Sequence, residues 1–285
     1  MKSTVLNVFL KSQIVVALLM SVNLQAQNLK FMTYNIRYAT PRDGENAWSK
    51  RKDLVVNQIR FYEPDVLGIQ EGLNQQVTFI DDELENYVYF GVGRDNGKKK
   101  GEYCAIYYQS KKFRKIDGGT FWLSTTPNKI SVGWDAALER ICTYLLLEDK
   151  ETSKRFWVFN AHFDHRGKQA REKSSELILD QIRSLNKDTY PVVLMGDLNA
   201  KPQDAPIQIL AKELNDTKEV SLNPPFGPDG TFNGFRFQEP VSNRIDYIFV
   251  SKDNVEVQKY AILSDSKDGR YLSDHLPVFA EIRLK

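Results

Sequence analysis

Four apolar residues that stop on a glycine, followed at once by two polar side chains, constrain this chain more than any other feature. Pro191 to Pro202 reads PVVLMGDLNAKP. Val192-Val193-Leu194-Met195 is short, apolar throughout and rich in β-branched residues, as a strand covered on both faces should be. Such strands belong to sheets flanked by helices, and open α/β architectures place ligands beyond the strand ends. Gly196 ends the run, and Asp197 and Asn199 follow with one residue between them. On an extended backbone, residues two apart point to the same side, so a carboxylate and a carboxamide would converge there. The competing reading is a simple Asp-Asn turn, since both residues favour turns.

Other apolar runs end the same way, which favours a site over a turn. Leu29 to Ile36 (LKFMTYNI) loses its alternation at Asn35, and Asp65 to Gln70 (DVLGIQ) is followed by Glu71. Phe156 to Asn160 (FWVFN) runs into Ala161-His162-Phe163-Asp164-His165, which holds two of the three histidines. Arg244 to Val250 (RIDYIFV) carries one acid, Asp246, among apolar neighbours, and the third histidine stands in Ser273-Asp274-His275-Leu276-Pro277-Val278. Glu102 to Tyr108, Gly118 to Leu123 and Arg140 to Leu147 also read as strands. Between them come helical patterns. Trp48 to Tyr62 repeats Leu54, Val55, Ile59 and Phe61 and stops at Pro64; Gln75 to Leu84 is a second helix; residues 169–185 carry Leu177, Ile178, Ile182 and Leu185. Trp134-Asp135 sits in a loop without an assignment. Strands alternating with helices define an α/β fold.

Residues 1–26 stand apart. Lys2 and Lys11 flank the apolar core Ile14 to Met20, and Leu24-Gln25-Ala26 reads as a cleavage site. The pattern is that of a secretory signal peptide, too short to span a bilayer. It predicts a secreted or periplasmic protein with one domain over residues 27–285, since no low-complexity linker or repeat divides the remainder. Removing Lys2 and Lys11 takes the formal charge from +2 to zero. A neutral chain argues against a grip on long duplex DNA, which needs a basic face. Lys98-Lys99-Lys100, between Gly97 and Gly101, reads as a solvated loop tip. Cys104 and Cys142 fall in strand-like segments, and both a disulfide and two buried thiols remain open.

Asn35, Glu71, His162, Asp197, Asn199, Asp246, Asp274 and His275 are thus polar residues at or near the ends of apolar runs. Carboxylates that converge out of water need a cation or hydrogen bonds to remain ionised. An oxygen-rich set suits a hard ion, magnesium or manganese, rather than zinc. The histidines lack zinc-site spacing and fit acid-base or phosphate-charge roles better.

The blocks TYNIR, GIQEG, NAHFDH, GDLNAKP, RIDYIFVS and SDHLPV, in this order, resemble the endonuclease/exonuclease/phosphatase superfamily. GTFWLSTTP, WDAALERICTY, HFDHRG and TFNGF are similar to its secreted bacterial hydrolases. The resemblance covers Lys30 to the C-terminus and implies a four-layer α/β sandwich: two packed mixed β-sheets flanked by helices. It also implies a divalent metal, Mg2+ or Mn2+, and hydrolysis of a phosphate ester. On matching positions it makes Glu71 the principal metal ligand with Asn35 beside it, and puts Asp274 next to the metal or a second metal position. Asp197 would orient or deprotonate water with help from Asn199, which also lies on the phosphate side. His275 would bind a phosphoryl oxygen, with Asp246 fixing its ring. His162 would be a general acid with Glu102 as partner, and Arg140 would contact phosphate unless it is a surface strand charge.

SNRIDYIF lacks the Pro-Ala-Trp-Cys signature of the inositol 5-phosphatase branch. Nuclease, phospholipid diesterase and small-molecule phosphatase remain as substrate classes, because loops 40–50, 93–101, 124–139 and 221–238 would set specificity. A lipid headgroup, a small molecule or a nucleic acid would therefore be the partner of a monomeric enzyme. The non-enzymatic alternative is a binding protein whose metal site only stabilises it, and the intact polar set speaks against that.

Overall fold

The computed structural model describes residues 28–285. The expected signal peptide lies outside the described residues. Among the described residues, fourteen strands and five α-helices follow one another. In order, β1 is Asn28–Asn35, β2 Val66–Gln70, β3 Tyr87–Phe90, β4 Ile106–Gln109, β5 Phe113–Trp122, β6 Ile141–Asp149 and β7 Arg155–His162. They continue with β8 Val192–Asp197, β9 Leu214–Asp216, β10 Asp246–Ser251, β11 Val255–Ile262, β12 Ser266–Lys267, β13 Arg270–Tyr271 and β14 Val278–Leu284. The helices are α1 Trp48–Tyr62, α2 Asn74–Glu83, α3 Lys168–Leu185, α4 Ala205–Ala211 and α5 Thr217–Val220.

Two six-stranded sheets form, ordered β11-β14-β1-β2-β4-β3 and β5-β6-β7-β8-β10-β9. Both are mixed: β1 runs parallel to β2, and β7 parallel to β8, while their other partners are antiparallel. Their inner faces share one core, with Phe31, Val66 and Ile106 meeting Val158, Met195 and Ile248. On the outer face of the first sheet, Met32, Leu67 and Tyr107 pack with Val55 and Ile59 of α1 and Val77 of α2. On that of the second, Phe159, Leu194 and Phe249 pack with Ile178 of α3 and Ile207 of α4. Helix, sheet, sheet, helix is the four-layer order expected of the sequence.

Local chemistry sets the boundaries. Helix α1 stops where Glu63 takes a left-handed turn (φ 48) and its N–H closes on the Ile59 carbonyl, one residue before Pro64. Phe61, expected on the apolar face, instead points outward and is 78% exposed. Glu102 to Tyr108 is not one strand. Regular pairing starts only at Ile106, and Glu102 to Ala105 form an irregular arm carrying an isolated Tyr103–Gly72 bridge. Cys142 lies in β6 and Cys104 on that arm; both are buried and unpaired, so no disulfide forms.

Two glycines allow close approach behind the site, Gly68 between the sheets and Gly196 within the second. A Cβ on Gly68 would stand 2.8 Å from Asn160 Cγ, on the opposite sheet. Gly196 (φ 145) sits so near β7 that a Cβ would lie 2.0 Å from the Ala161 carbonyl oxygen. No other residue type fits there, immediately before Asp197. Among the described residues, no helix is long and apolar enough to cross a membrane.

Candidate active site

Strand register brings the polar ends together. In the second sheet, His162 and Asp246 both pair with Asp197, so three titratable residues stand side by side across β7, β8 and β10. In the first, Asn35 closes β1 opposite Gln70, and Glu71 follows in a left-handed turn (φ 63). The segment before β14 delivers Asp274 and His275 to the same end, where the Ser273 hydroxyl donates to the Asn35 carbonyl at 2.8 Å.

Asn35 joins the two sheets chemically. Its Nδ2 donates to Glu71 Oε1 at 3.1 Å and to Asp197 Oδ2 at 3.0 Å. Its Oδ1 accepts the Arg37 N–H. A metal ligand would present that oxygen; in this arrangement Asn35 instead bridges the two carboxylates through Nδ2. The Tyr38 N–H holds the other Glu71 oxygen at 3.1 Å.

His275 Nδ1 lies 2.9 Å from Asp246 Oδ2, the expected ring partner. Its Nε2 faces Asp197 Oδ2 at 3.8 Å, and Phe232 meets the ring edge-on. Burial alone would lower the His275 pKa, but the Asp246 and Asp197 carboxylates carry it well above the usual histidine value. Burial, reinforced by Asp246, pushes the Asp197 carboxyl up to about 7. Asp197, Asp246 and His275 also place one donor atom each within 4.8 Å of one another, a geometry able to hold an ion. An imidazolium in that trio supplies the positive charge itself.

Asn199 departs from its expected placement. Strand β8 ends at Asp197, and Asn199 adopts a left-handed conformation (φ 46), so the two side chains do not share a face of one strand. Asn199 serves Asp197 through its backbone N–H, 3.0 Å from Oδ1, while its Nδ2 donates to the Phe163 carbonyl.

On the far side of Asp197 the surroundings are cationic. His162 Nε2 is 3.5 Å from Asp197 Oδ2, and its Nδ1 is 3.8 Å from Glu102 Oε2. Glu102 is thus near His162 as expected but is taken by Arg94, whose two terminal nitrogens donate to it at 2.6 and 2.9 Å. Burial pushes the Glu102 carboxyl up to about 7, against the lowering effect of Arg94. Arg140 is no surface charge. It is buried, with Nη1 3.0 Å from the His162 ring nitrogens and Nη2 3.0 Å from His165 Nδ1. Asp164 anchors it: burial would raise that carboxyl, yet the Gly167 and Arg166 N–H groups hold it at about 2. Burial, then Arg140, depress the His162 pKa well below the usual value.

Arg37, Arg94 and Asp164 escaped sequence reasoning. Arg37 and Asp164 lie inside the blocks TYNIR and NAHFDH, where their charge was the available signal; Arg94 sits in a loop without a local pattern. Trp134-Asp135 also gains a role, as Asp135 accepts the Gln169 and Ala170 N–H groups at the start of α3.

The donor chemistry fits a divalent cation. Glu71, Asp197, Asp246 and Asp274 converge, Asp246 Oδ1 is buried without a partner, and burial raises the Asp274 carboxyl. Asp197 and Asp274, whose carboxyls burial holds against ionisation, are what a bound cation relieves.

Residues 32–275 match the Endonuclease/Exonuclease/phosphatase family, and the chain belongs to it. Members of this family hydrolyse phosphate esters and are typically divalent-metal dependent. The fold is similar to that of a mannosyl-6-phosphatase of Bacteroides thetaiotaomicron VPI-5482, with a TM-score of 0.85 and 34% identity over 89% of this chain and 99% of that one. An uncharacterised protein of Acanthamoeba polyphaga mimivirus is 30% identical over 252 residues, 81% of this chain and 90% of that protein. The CCR4-Not complex 3'-5'-exoribonuclease subunit Ccr4 of Aspergillus niger is 22% identical over 316 residues, 84% of this chain and 48% of that protein.

Proposed function

We propose that this chain is an exported, monomeric, magnesium- or manganese-dependent hydrolase of phosphate esters that acts on small phosphorylated molecules. The observation that carries the reading is Asn35 holding Glu71 and Asp197 together beside the His275–Asp246 pair. Glu71 and Asp197 would hold the cation, which when bound polarises the phosphoryl oxygens and offsets the charge of the acids. The chain's own groups do the rest. Asp197, ionised once the cation is bound, is placed between Asn35 and His275 to take a proton from the attacking water. The Asn199 N–H and the Asn35 amide fix its two oxygens. His275, charged and oriented by Asp246, presents Nε2 to the phosphoryl oxygens as negative charge builds on them.

His162 takes a different part from the one its family position implies. With its pKa depressed it is neutral at pH 7, so it has no imidazolium proton for a leaving group. It forms, with Arg140, a polar wall that would bind the ester. The zero formal charge of residues 27–285 and the likeness to a sugar phosphatase favour a small substrate over duplex DNA. A panel of hexose phosphates, other phosphomonoesters, phosphodiesters, sphingomyelin and nucleic acids, each with and without Mg2+ or Mn2+, tests the reading. Hydrolysis that survives exhaustive chelation would sink it, and a nucleic acid or lipid as best substrate would replace the substrate assignment. Recovery of the protein in the cytoplasm with Met1 retained would overturn export.

A further inference from the structure

Arg37 stands among the acids of the site without a task in the chemistry above. It follows Asn35 by two residues, and its left-handed backbone (φ 56) accompanies a side chain that returns over the cluster. Nε and Nη2 donate to the two oxygens of Asp43, each at 3.1 Å. Nη1 stands 4.0 Å from Glu71 Oε2 and 3.8 Å from Asp274 Oδ2. The guanidinium lies over the Tyr38 ring, 4.4 Å from its centroid. The loop beneath is fixed by the buried Arg51, which donates to the Ile36 and Arg37 carbonyls at 2.6 and 2.8 Å. The positive charge is therefore held in place from three directions.

A site with two divalent ions needs carboxylates free to serve both. Here Asp246 gives Oδ2 to His275 and keeps only Oδ1 free, Asp43 accepts two bonds from Arg37, and Glu71 Oε2 and Asp274 face the same guanidinium. Beyond the reach of Arg37 stand Asp197, whose Oδ2 faces His275 Nε2 at 3.8 Å, and Glu71 Oε1, the pair joined by Asn35 Nδ2. Those two carboxylates, on the side away from Arg37, would serve one ion. We propose that Arg37 takes the place of a second metal: the site binds a single divalent cation on the Glu71–Asp197 side, and Arg37 is a built-in charge that positions Glu71 and Asp274. Arginine suits the task because its charge persists at every working pH and its planar fork can serve several carboxylates at once. The inference rests on the metal-dependent reading above and adds the number of ions and the residue that sets it.

Counting Mn2+ bound per chain, by electron paramagnetic resonance of the free ion during titration, tests the proposal without an activity assay. The parent protein should take up one Mn2+, Arg37→Gln a second, and Arg37→Lys only one. The double variant Arg37→Gln/Asp274→Asn should return to one, showing that the second ion sits at the vacated position. Two ions in the parent, one in Arg37→Gln, or two in the double variant would each overturn the proposal while leaving metal dependence intact. No ion in the parent would overturn both. If thermal melting shows that Arg37→Gln does not fold, Asp274→Asn alone decides. Its Mn2+ affinity should stay within about threefold of the parent, under 1 kcal/mol, and a larger loss would make Asp274 a ligand.

Discussion

His275 and His162 are both buried, within 4 Å of the same Asp197 oxygen, yet their pKa values are driven in opposite directions. The difference lies in their other neighbours: His275 has Asp246 on Nδ1, whereas His162 has the Arg140 guanidinium against its ring. A charged His275 would act on the phosphoryl group that every substrate shares, so His275→Ala should slow all substrates by about 10²–10³-fold. His162→Ala should slow an alkyl ester and a nitrophenyl ester by the same factor, because a neutral ring does not protonate the leaving group. A much larger loss for the alkyl ester would restore His162 as general acid. The strand-end residues were legible one by one because a polar side chain interrupts an apolar run. Arg94 and the burial of Arg140 were not, since the carboxylates that hold them come from other segments.

Strand β7 hydrogen-bonds across to the first sheet through the side chain of Asn160. Its Nδ2 donates to the Ile69 and Ala105 carbonyls at 2.9 Å each, and its Oδ1 accepts from Gln70 Nε2 at 2.6 Å. All of this is buried and lies beside Gly68, which leaves the space for it. Asn160→Leu should cost about 2–4 kcal/mol, read as a lower urea midpoint with an unchanged slope, because buried polar groups lose their partner. A variant as stable as the parent would show that the sheets are held by apolar packing alone. Elements as dense as α1 and β8 could be read from sequence because period and breakers agree. Strand β11 could not: VEVQKYAI buries only four of its eight residues and carries a register shift between Val257 and Lys259. Strand β3, only four residues long and nowhere fully buried, leaves a weaker trace still.

Across the whole molecule, charge decides both partners and stability. Without residues 1–26 the chain is formally neutral, so plasmid DNA should be a poor substrate; efficient cleavage that falls steeply with salt would refute this. Inside the molecule, the acids and His275 tie folding to pH. An acid such as Asp197, with its folded pKa raised to about 7, keeps a proton that the unfolded chain has already released, so its contribution falls with rising pH up to that value. His275, raised well above its ordinary value, contributes fully below about pH 6.5 and loses that contribution as pH rises through its folded pKa. His162, depressed, works the other way, but only below about pH 6.5, where the unfolded chain takes up a proton that the folded one refuses. Above that pH the two destabilising trends are left unopposed by His162. The metal-free protein should therefore melt at progressively lower temperature from pH 6.5 to 9. A divalent cation reverses the sense, because it binds ionised carboxylates and releases the protons they hold. Saturating Mn2+ at about a hundredfold over Kd should stabilise by about 2.7 kcal/mol, a rise of roughly 5–10 °C, and binding should be tighter at pH 8 than at pH 6. Glu71→Gln should lose most of that rise at both values. Equal Mn2+ affinity at the two pH values would mean that the acids of the site are already ionised in the metal-free protein.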